Sequence, residues 1–178
     1  PASEQDNFCI TIMELHSDHT RLVYCWTINR KKHQQMVKDN EIGETDYFAY
    51  CVRKIRTLMK LFNIVEIGLD SQGGGFAILE GLHDKDKLLP GELPIWEIQE
   101  EKKEKITDRF AGKHIIRLIN FADGKWVSEA NSTMRKDFED KVLLFPFFDP
   151  LSIGLAVEED KRTGRKYDTL EECVMEIE

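Results

Sequence analysis

Two apolar segments near the beginning of the chain predict a pair of β-strands. Phe8–Leu15 is rich in Ile, Thr and Phe, and Leu22–Ile28 carries apolar side chains on both of its alternating faces. Segments of this composition favour strands, and apolar side chains on both faces are typical of a mostly buried sheet. The polar residues His16–Thr20 between them predict a hairpin loop.

The apolar period then changes to that of a helix. The apolar positions recur at helical spacing as Phe48, Val52, Ile55, Met59 and Phe62. Basic residues occupy positions off this stripe, so the segment is predicted to be an amphipathic helix, with Thr45 as its candidate N-cap.

The same patterns predict the remaining elements. These are a strand at Ile64–Leu69, a helix at Phe76–Leu82, a strand at His114–Ile119, a helix at Lys125–Lys141, a strand at Val142–Phe145 and a helix at Pro150–Glu159 capped by Asp149. Gly164 predicts a turn, and Asp168 with Glu171 forms a capping-box pattern for a last helix.

The segment Asp84–Gly112 differs from the rest in composition. It contains two prolines and the charge run EIQEEKKEK. This composition predicts an insertion or mobile loop over residues 84–112, around a short extended piece at Leu93–Ile98.

A hairpin followed by alternating helices and strands predicts the fold class. We expect an α/β protein with a mixed sheet, an antiparallel hairpin plus parallel strands, and helices on both faces. The length of 178 residues suits one domain, so residues 1–178 are predicted to be a single domain.

Composition and charge narrow the function classes. No apolar run approaches the roughly 20 residues of a membrane-spanning helix, so no membrane contact is expected. The four cysteines form no CxxC pair, and we expect small core residues in a reducing cytoplasm. The net charge of −8 counts against a simple non-specific DNA binder. It does not exclude a nuclease, because metal-binding carboxylates add negative charge.

Asp70 is the first candidate for chemistry. It ends a predicted buried strand and precedes the turn Ser71–Gly75, which contains three glycines including Gly73. Ligands of open α/β sheets collect at the carboxyl ends of strands, where a carboxylate can hold a hard cation. A helix cap explains the same position equally well. The glycines match neither nucleotide-binding pattern, and the sequence contains no ATPase motor motif.

Four further polar residues are possible neighbours of this site. His83 and Asp84 follow the helix after the glycine turn, and Glu4 and Asp6 precede the first strand. Surface exposure explains each of them more readily than a metal or general-base role.

Four segments resemble, in their order and spacing, the nuclease domain of tailed-phage terminase large subunits. The segments are PASEQDNFCITIMELH, LVYCWTINRKKH, IGLDSQGGGFAILEGLHD and SEANSTMRKDFEDKVLLFPFFDP, and together they span nearly the whole chain. In that family an aspartate ends the first strand and is followed directly by Pro-Ala-Ser-Glu. This chain begins at Pro1, so the domain is expected to be truncated at both ends.

The resemblance implies a ribonuclease H-like fold, related to Holliday-junction resolvases, in which three acidic residues bind two Mg²⁺ or Mn²⁺ ions. Asp70 matches the second of these residues. The first would lie just before Pro1 and the third on a helix beyond Glu178, so this fragment alone is expected to be inactive. The implied reaction is two-metal hydrolysis, with the ions ~3.5–4 Å apart.

The resemblance also implies a biological setting. The enzyme would cut concatemeric double-stranded viral DNA during genome packaging, in the host cytoplasm and transiently at the procapsid portal. Its expected partners are an N-terminal ATPase domain of the same polypeptide, the terminase small subunit and the portal protein. Two alternatives stay open. One is another ribonuclease H-like nuclease of the resolvase type, and the other is a non-catalytic module for DNA or portal contacts.

Overall fold

The computed structural model describes residues 7–98 and 112–146, together with the backbone of two short strands at 157–159 and 166–168. The elements in chain order are β1 (Asn7–Leu15), β2 (Thr20–Asn29), α1 (Arg30–Lys38), α2 (Tyr47–Leu61), β3 (Ile67–Asp70), α3 (Gly74–His83), β4 (Ile95–Glu97), β5 (Lys113–Ile119), α4 (Gly124–Glu139), β6 (Leu143–Leu144), β7 (Val157–Glu159) and β8 (Lys166–Asp168). The predicted α/β class is confirmed, with an antiparallel hairpin, parallel strands and four α-helices among the described residues.

The chain divides into two compact units. Among the described residues, one unit contains 36–127 and the other contains 7–35, 128–146 and the two short strands at 157–159 and 166–168. No helix in the described part of the chain is long and apolar enough to cross a bilayer.

The unit with the hairpin contains β1, β2 and β6. The two long strands pair antiparallel from Asn7↔Asn29 to Leu15↔Thr20, with a register shift between Ile12 and Met13. β6 pairs parallel with the start of β2, so this sheet has the order β1-β2-β6. The predicted hairpin is therefore confirmed, and its loop is one residue shorter than expected because Thr20 already belongs to β2.

Sequence patterns missed α1, which follows β2 without a loop. Its sequence RKKHQQMVK carries hardly any apolar side chains, so it shows no helical stripe. The carboxamide oxygen of Asn29 accepts the backbone N–H of Lys32 at 2.8 Å, which satisfies one of the donors at the helix start. His33 is the buried residue of this helix.

The unit of residues 36–127 is built on a parallel sheet. Its strand order is β3-β5-β4, so β5 is central among the described strands. α2 and α3 contribute the buried side chains Cys51, Val52, Ile55, Leu58, Ile78, Leu79 and Leu82. A Cβ at Gly81 would lie 2.8 Å from Val52 Cγ2, so the glycine permits the close approach of α3 to α2.

Several boundaries and one helix differ from the sequence predictions. The N-cap of α2 is Asp46, whose carboxylate accepts Ala49 N–H at 2.7 Å, and Thr45 is not the cap. Val157–Glu159 forms β7, which pairs antiparallel with β8, so the helix predicted over Pro150–Glu159 is wrong at its end. The rest of that helix, Asp149, Gly164 and the last predicted helix lie outside the described residues.

The cysteine prediction is partly wrong. Cys25 and Cys51 are free thiols, and Cys51 is buried as expected for a small core residue. Cys9 is disulfide-bonded, so its thiol is not reduced.

Part of the segment predicted as a loop is folded. Lys85–Lys87 forms a 3₁₀ turn, and the predicted extended piece is confirmed as β4, whose Ile95 is buried beside β5. Residues 99–111 lie outside the described residues. The described part of this segment therefore folds as part of the unit of residues 36–127, although its composition is typical of a loop.

A buried carboxylate attaches the folded part of this segment to α2. The Glu92 side chain is 8% exposed. It accepts two bonds of 2.8 Å from Arg53 Nη1 and one of 3.1 Å from the Leu89 N–H, and Lys60 Nζ lies 3.1 Å away. Burial by itself raises the pKa of Glu92, but the hydrogen bonds from Arg53, Leu89 and Lys60 outweigh it and lower the pKa to about 2.

Replacing Glu92 with glutamine is expected to reduce the free energy of unfolding by about 2 kcal/mol at neutral pH, because a neutral amide cannot pair with both cations. The folded-state pKa of about 2 lies below the ordinary value of 4.5. The carboxylate therefore stabilises the fold above pH 4.5 and loses this effect as the pH falls towards 2. Urea denaturation should show wild type and Glu92→Gln converging in acid, and a difference that is independent of pH would contradict this role.

Candidate functional site

Asp70 is the last residue of β3 and is exposed to solvent. β3 pairs parallel with the central strand β5, and Asp70 is opposite Ile119 in the register. The strand is shorter than predicted and lies at the outer position of its sheet, with Leu69 as its buried residue. The placement at the carboxyl end of a parallel strand is as expected, whereas the burial of the strand was overestimated.

Hydrogen bonds fix the turn after Asp70. One carboxylate oxygen, Oδ1, accepts the backbone N–H of Gln72 at 3.0 Å. The N–H of Ser71 donates to the Ile119 carbonyl at 2.8 Å and so extends the β3–β5 ladder beyond Asp70. The side chain of Asp70 makes no other hydrogen bond within the described residues. Its second oxygen is therefore available to a ligand.

The N-cap of α3 is Gly73, which adopts φ 51° and ψ −119° and makes no side-chain cap bond. This positive φ favours glycine. Because the Asp70 carboxylate bonds to Gln72 rather than to the helix itself, Asp70 is not the cap of α3. The alternative interpretation of Asp70 as a simple helix cap is therefore wrong.

Gly75 is required for this turn because a Cβ there would lie 1.7 Å from the Asp70 carbonyl oxygen. Gly75→Ala is expected to reduce the free energy of unfolding by about 2 kcal/mol, since backbone rather than a flexible side chain must move. Gly43→Ala is the matched control, because nothing lies within 4 Å of a Cβ at that position. Equal urea midpoints for the two variants would refute the close approach at Asp70.

Asn120 brings a second polar side chain to the same edge. It directly follows β5, and its Oδ1 accepts Gln72 Nε2 at 3.1 Å and the Ala122 N–H at 3.0 Å. The Gln72–Asn120 bond links the two loops that follow β3 and β5. Sequence reasoning missed Asn120, although it is the first residue after a predicted strand, the position that had singled out Asp70.

Asp123 adds a further carboxylate to the loop after β5. Its Oδ1 accepts the N–H groups of Lys125 and Trp126 at 3.0 and 3.2 Å, so it caps α4. Asp70 and Asp123 make this edge of the sheet acidic, and Asn120 provides a neutral amide within it.

His83 and Asp84 lie at the opposite end of α3 from Asp70. The ten residues of this helix span roughly 15 Å. The Asp84 carboxylate accepts Asp86 N–H at 2.9 Å, which caps the 3₁₀ turn. These two residues therefore do not share a site with Asp70.

The surroundings of His83 are those of a packed side chain. Its ring lies 4.5 Å from that of Trp96, centroid to centroid. Its Nε2 is 2.9 Å from Glu97 Oε2, yet this buried atom makes no hydrogen bond within the described residues. The predicted neighbours Glu4 and Asp6 lie outside the described residues.

The described residues do not complete a metal site by themselves. Within residues 7–98 and 112–146, no group of three or more His, Cys, Asp or Glu side chains is arranged to hold an ion. Asp70 is chemically suited to be one ligand of such an ion. It is an exposed carboxylate whose second oxygen accepts no hydrogen bond among the described residues, and Mg²⁺ prefers oxygen ligands.

No family model matches this chain, and no curated protein or solved structure matches it either.

Proposed function

We propose that this chain is part of a metal-dependent DNA endonuclease domain of the terminase type, in which Asp70 is one of the carboxylates that hold divalent cations. The observation that carries the proposal is the position of Asp70. It is exposed at the carboxyl end of a parallel strand, beside a glycine turn, with one oxygen available. The order and spacing of the segments that resemble terminase nucleases support the same assignment.

The chemistry of this edge suits a phosphodiester substrate only when a cation is bound. Asp70 and Asp123 alone would repel a phosphate, and the net charge of the chain is −8. A bound Mg²⁺ or Mn²⁺ would neutralise this charge and activate water. The role of Asp70 is to hold the ion, and the Gln72 N–H keeps its carboxylate in a fixed orientation.

The setting of the reaction follows from the same assignment. The substrate would be concatemeric double-stranded DNA, cut during packaging at the procapsid portal. An ATPase domain of the same polypeptide, the terminase small subunit and the portal protein would be the partners. The carboxylates that complete the site would lie outside the described residues.

The test is cleavage of supercoiled plasmid by a longer polypeptide that includes the residues flanking both ends of this sequence. Nicked and linear DNA should appear with Mn²⁺ and disappear when EDTA is added. Isothermal titration with Mn²⁺ should show binding in the absence of DNA. A polypeptide that neither cut DNA nor bound Mn²⁺ would exclude the nuclease proposal.

A non-catalytic module for DNA or portal contacts is the alternative favoured by one observation, the lack of a metal-binding cluster among the described residues. It predicts DNA or portal binding that is unaffected by EDTA. The same plasmid and titration experiments therefore separate the two functions.

A further inference from the structure

In the side chain of Asn120, the oxygen accepts hydrogen bonds within the protein, whereas the nitrogen donates none among the described residues. Its Oδ1 accepts two hydrogen bonds, one of them from the backbone N–H of Ala122. A backbone N–H can only donate, so the oxygen must face it and the side-chain NH₂ must face away. This NH₂ group has no acceptor among the described residues, and Asn120 is exposed.

The side chain of Asn120 and the carboxylate of Asp70 are both hydrogen-bonded to Gln72. Asn120 follows Ile119, the register partner of Asp70, on a strand that is about 4.8 Å away. The Gln72 side chain bridges to Asn120, while the Gln72 backbone N–H holds the Asp70 carboxylate. An acceptor side chain and a donor side chain, each held by Gln72, therefore follow neighbouring parallel strands at their carboxyl ends.

We propose that Asn120 is a substrate-positioning residue whose side-chain NH₂ donates to a non-bridging oxygen of a nucleic-acid phosphate next to Asp70. The proposal rests on the proposed function, since it requires that DNA approaches the Asp70 edge. Asparagine side chains commonly contact phosphate oxygens in protein–DNA complexes. A neutral donor suits this acidic edge, because it attracts a phosphate without forming an ion pair with Asp70 or Asp123 and so leaves these carboxylates available.

The sharpest variant is Asn120→Asp, which keeps the shape and retains an oxygen that accepts from Gln72 and Ala122. It replaces the available donor with a charged acceptor, so the proposed phosphate contact is lost and the new carboxylate repels the phosphate. Asn63→Asp is the matched control. It adds the same charge at an exposed position in the loop that leads into β3, at the opposite end of that strand from Asp70.

Binding of a short DNA duplex to the 178-residue chain would be followed by fluorescence anisotropy with Ca²⁺. Asn120→Asp is expected to weaken binding about tenfold relative to Asn63→Asp, with the melting temperature unchanged. Equal affinities of the two variants would overturn the proposal, as would a wild-type chain that binds no duplex.

A second measurement needs no variant and so does not depend on correct folding of Asn120→Asp. In the unaltered chain, the side-chain ¹H–¹⁵N resonances of Asn120 should shift on addition of duplex, whereas those of Asn63 should not. Absence of a shift at saturating duplex would overturn the proposal. If Asp70→Asn abolishes cleavage by the longer polypeptide while Asn120→Asp binds the duplex as tightly as Asn63→Asp, only the positioning role fails. If Asp70→Asn cuts as well as wild type, the proposed function itself fails.

Discussion

Asp70→Asn is expected to reduce metal-dependent DNA cleavage by at least about a hundredfold, because even residues that only support a metal ligand cost 10- to 100-fold when lost. Asparagine keeps the shape of the side chain and can still accept the Gln72 N–H, so the turn should be retained. It removes the negative charge and the second anionic oxygen that a hard cation prefers. The measurement is the rate of plasmid nicking with Mn²⁺ by the longer polypeptide, at equal protein concentration.

The matched control for this change is Asp84→Asn. It is the same chemical substitution at the other end of α3, where the carboxylate caps a 3₁₀ turn. This variant should cut DNA at nearly the wild-type rate and should bind Mn²⁺ unchanged, whereas Asp70→Asn should lose measurable Mn²⁺ affinity. Similar losses in both variants would point to a general effect of charge or folding and would remove Asp70 from the site.

The sequence could predict those elements whose apolar residues repeat with a clear period. The hairpin and α2 follow from periodicities of 2 and 3.6, and both are present in the structure. Boundaries were less accurate where apolar residues are exposed. Val65 is 64% exposed and lies before β3, although its apolar side chain led us to include it in the predicted strand.

The helix α1 could not be found from an apolar stripe, because it has almost none. Its nine residues include four basic and two glutamine side chains. The signals that accompany it are the Asn29 cap and one buried side chain, His33. An asparagine after a strand is compatible with a turn as well, so a local rule does not distinguish the two outcomes.

The folded part of residues 84–98 was predicted as a loop because its stabilising contacts are distant in sequence. Glu92 pairs with Arg53, 39 residues earlier, and the Leu93 carbonyl accepts from Arg56, 37 residues earlier. A charge-rich segment is predicted to be a solvated loop when the residues that pair with its charges are unknown. Only the three-dimensional arrangement shows that these charges are neutralised in pairs.

Of the two residues that make up the candidate site, the sequence predicted Asp70 but not Asn120, again because contacts between distant residues decide the outcome. Asp70 was found from a local pattern, a strand followed by glycines. Asn120 follows a strand too, but its importance depends on the parallel pairing of β3 with β5, which places it beside the Asp70 turn. Strand order across a sheet is not contained in local periodicity.

Arg56→Met is expected to reduce the free energy of unfolding by about 3 kcal/mol. Two charge-assisted hydrogen bonds are lost, and their carbonyl acceptors are left inside the protein without a donor. Arg56 is 4% exposed and donates to the carbonyls of Leu93 at 2.9 Å and Leu82 at 2.8 Å. These carbonyls belong to the residues before β4 and to the last turn of α3. Burial lowers the pKa of Arg56 below its ordinary value, and the nearby Glu92 carboxylate offsets this effect only in part.

Arg117→Met is the matched control, because Arg117 also makes two hydrogen bonds, at 2.7 and 3.0 Å, but to the exposed carboxylate of Glu66. Solvent screens this pair, so its loss should leave the urea midpoint close to that of wild type. Methionine keeps an unbranched, flexible side chain at both positions and removes the same guanidinium group from each, so the two variants differ in the hydrogen bonds that are lost. If the two variants unfolded at the same urea concentration, the buried guanidinium of Arg56 could not be what links α2 to α3 and to the residues before β4.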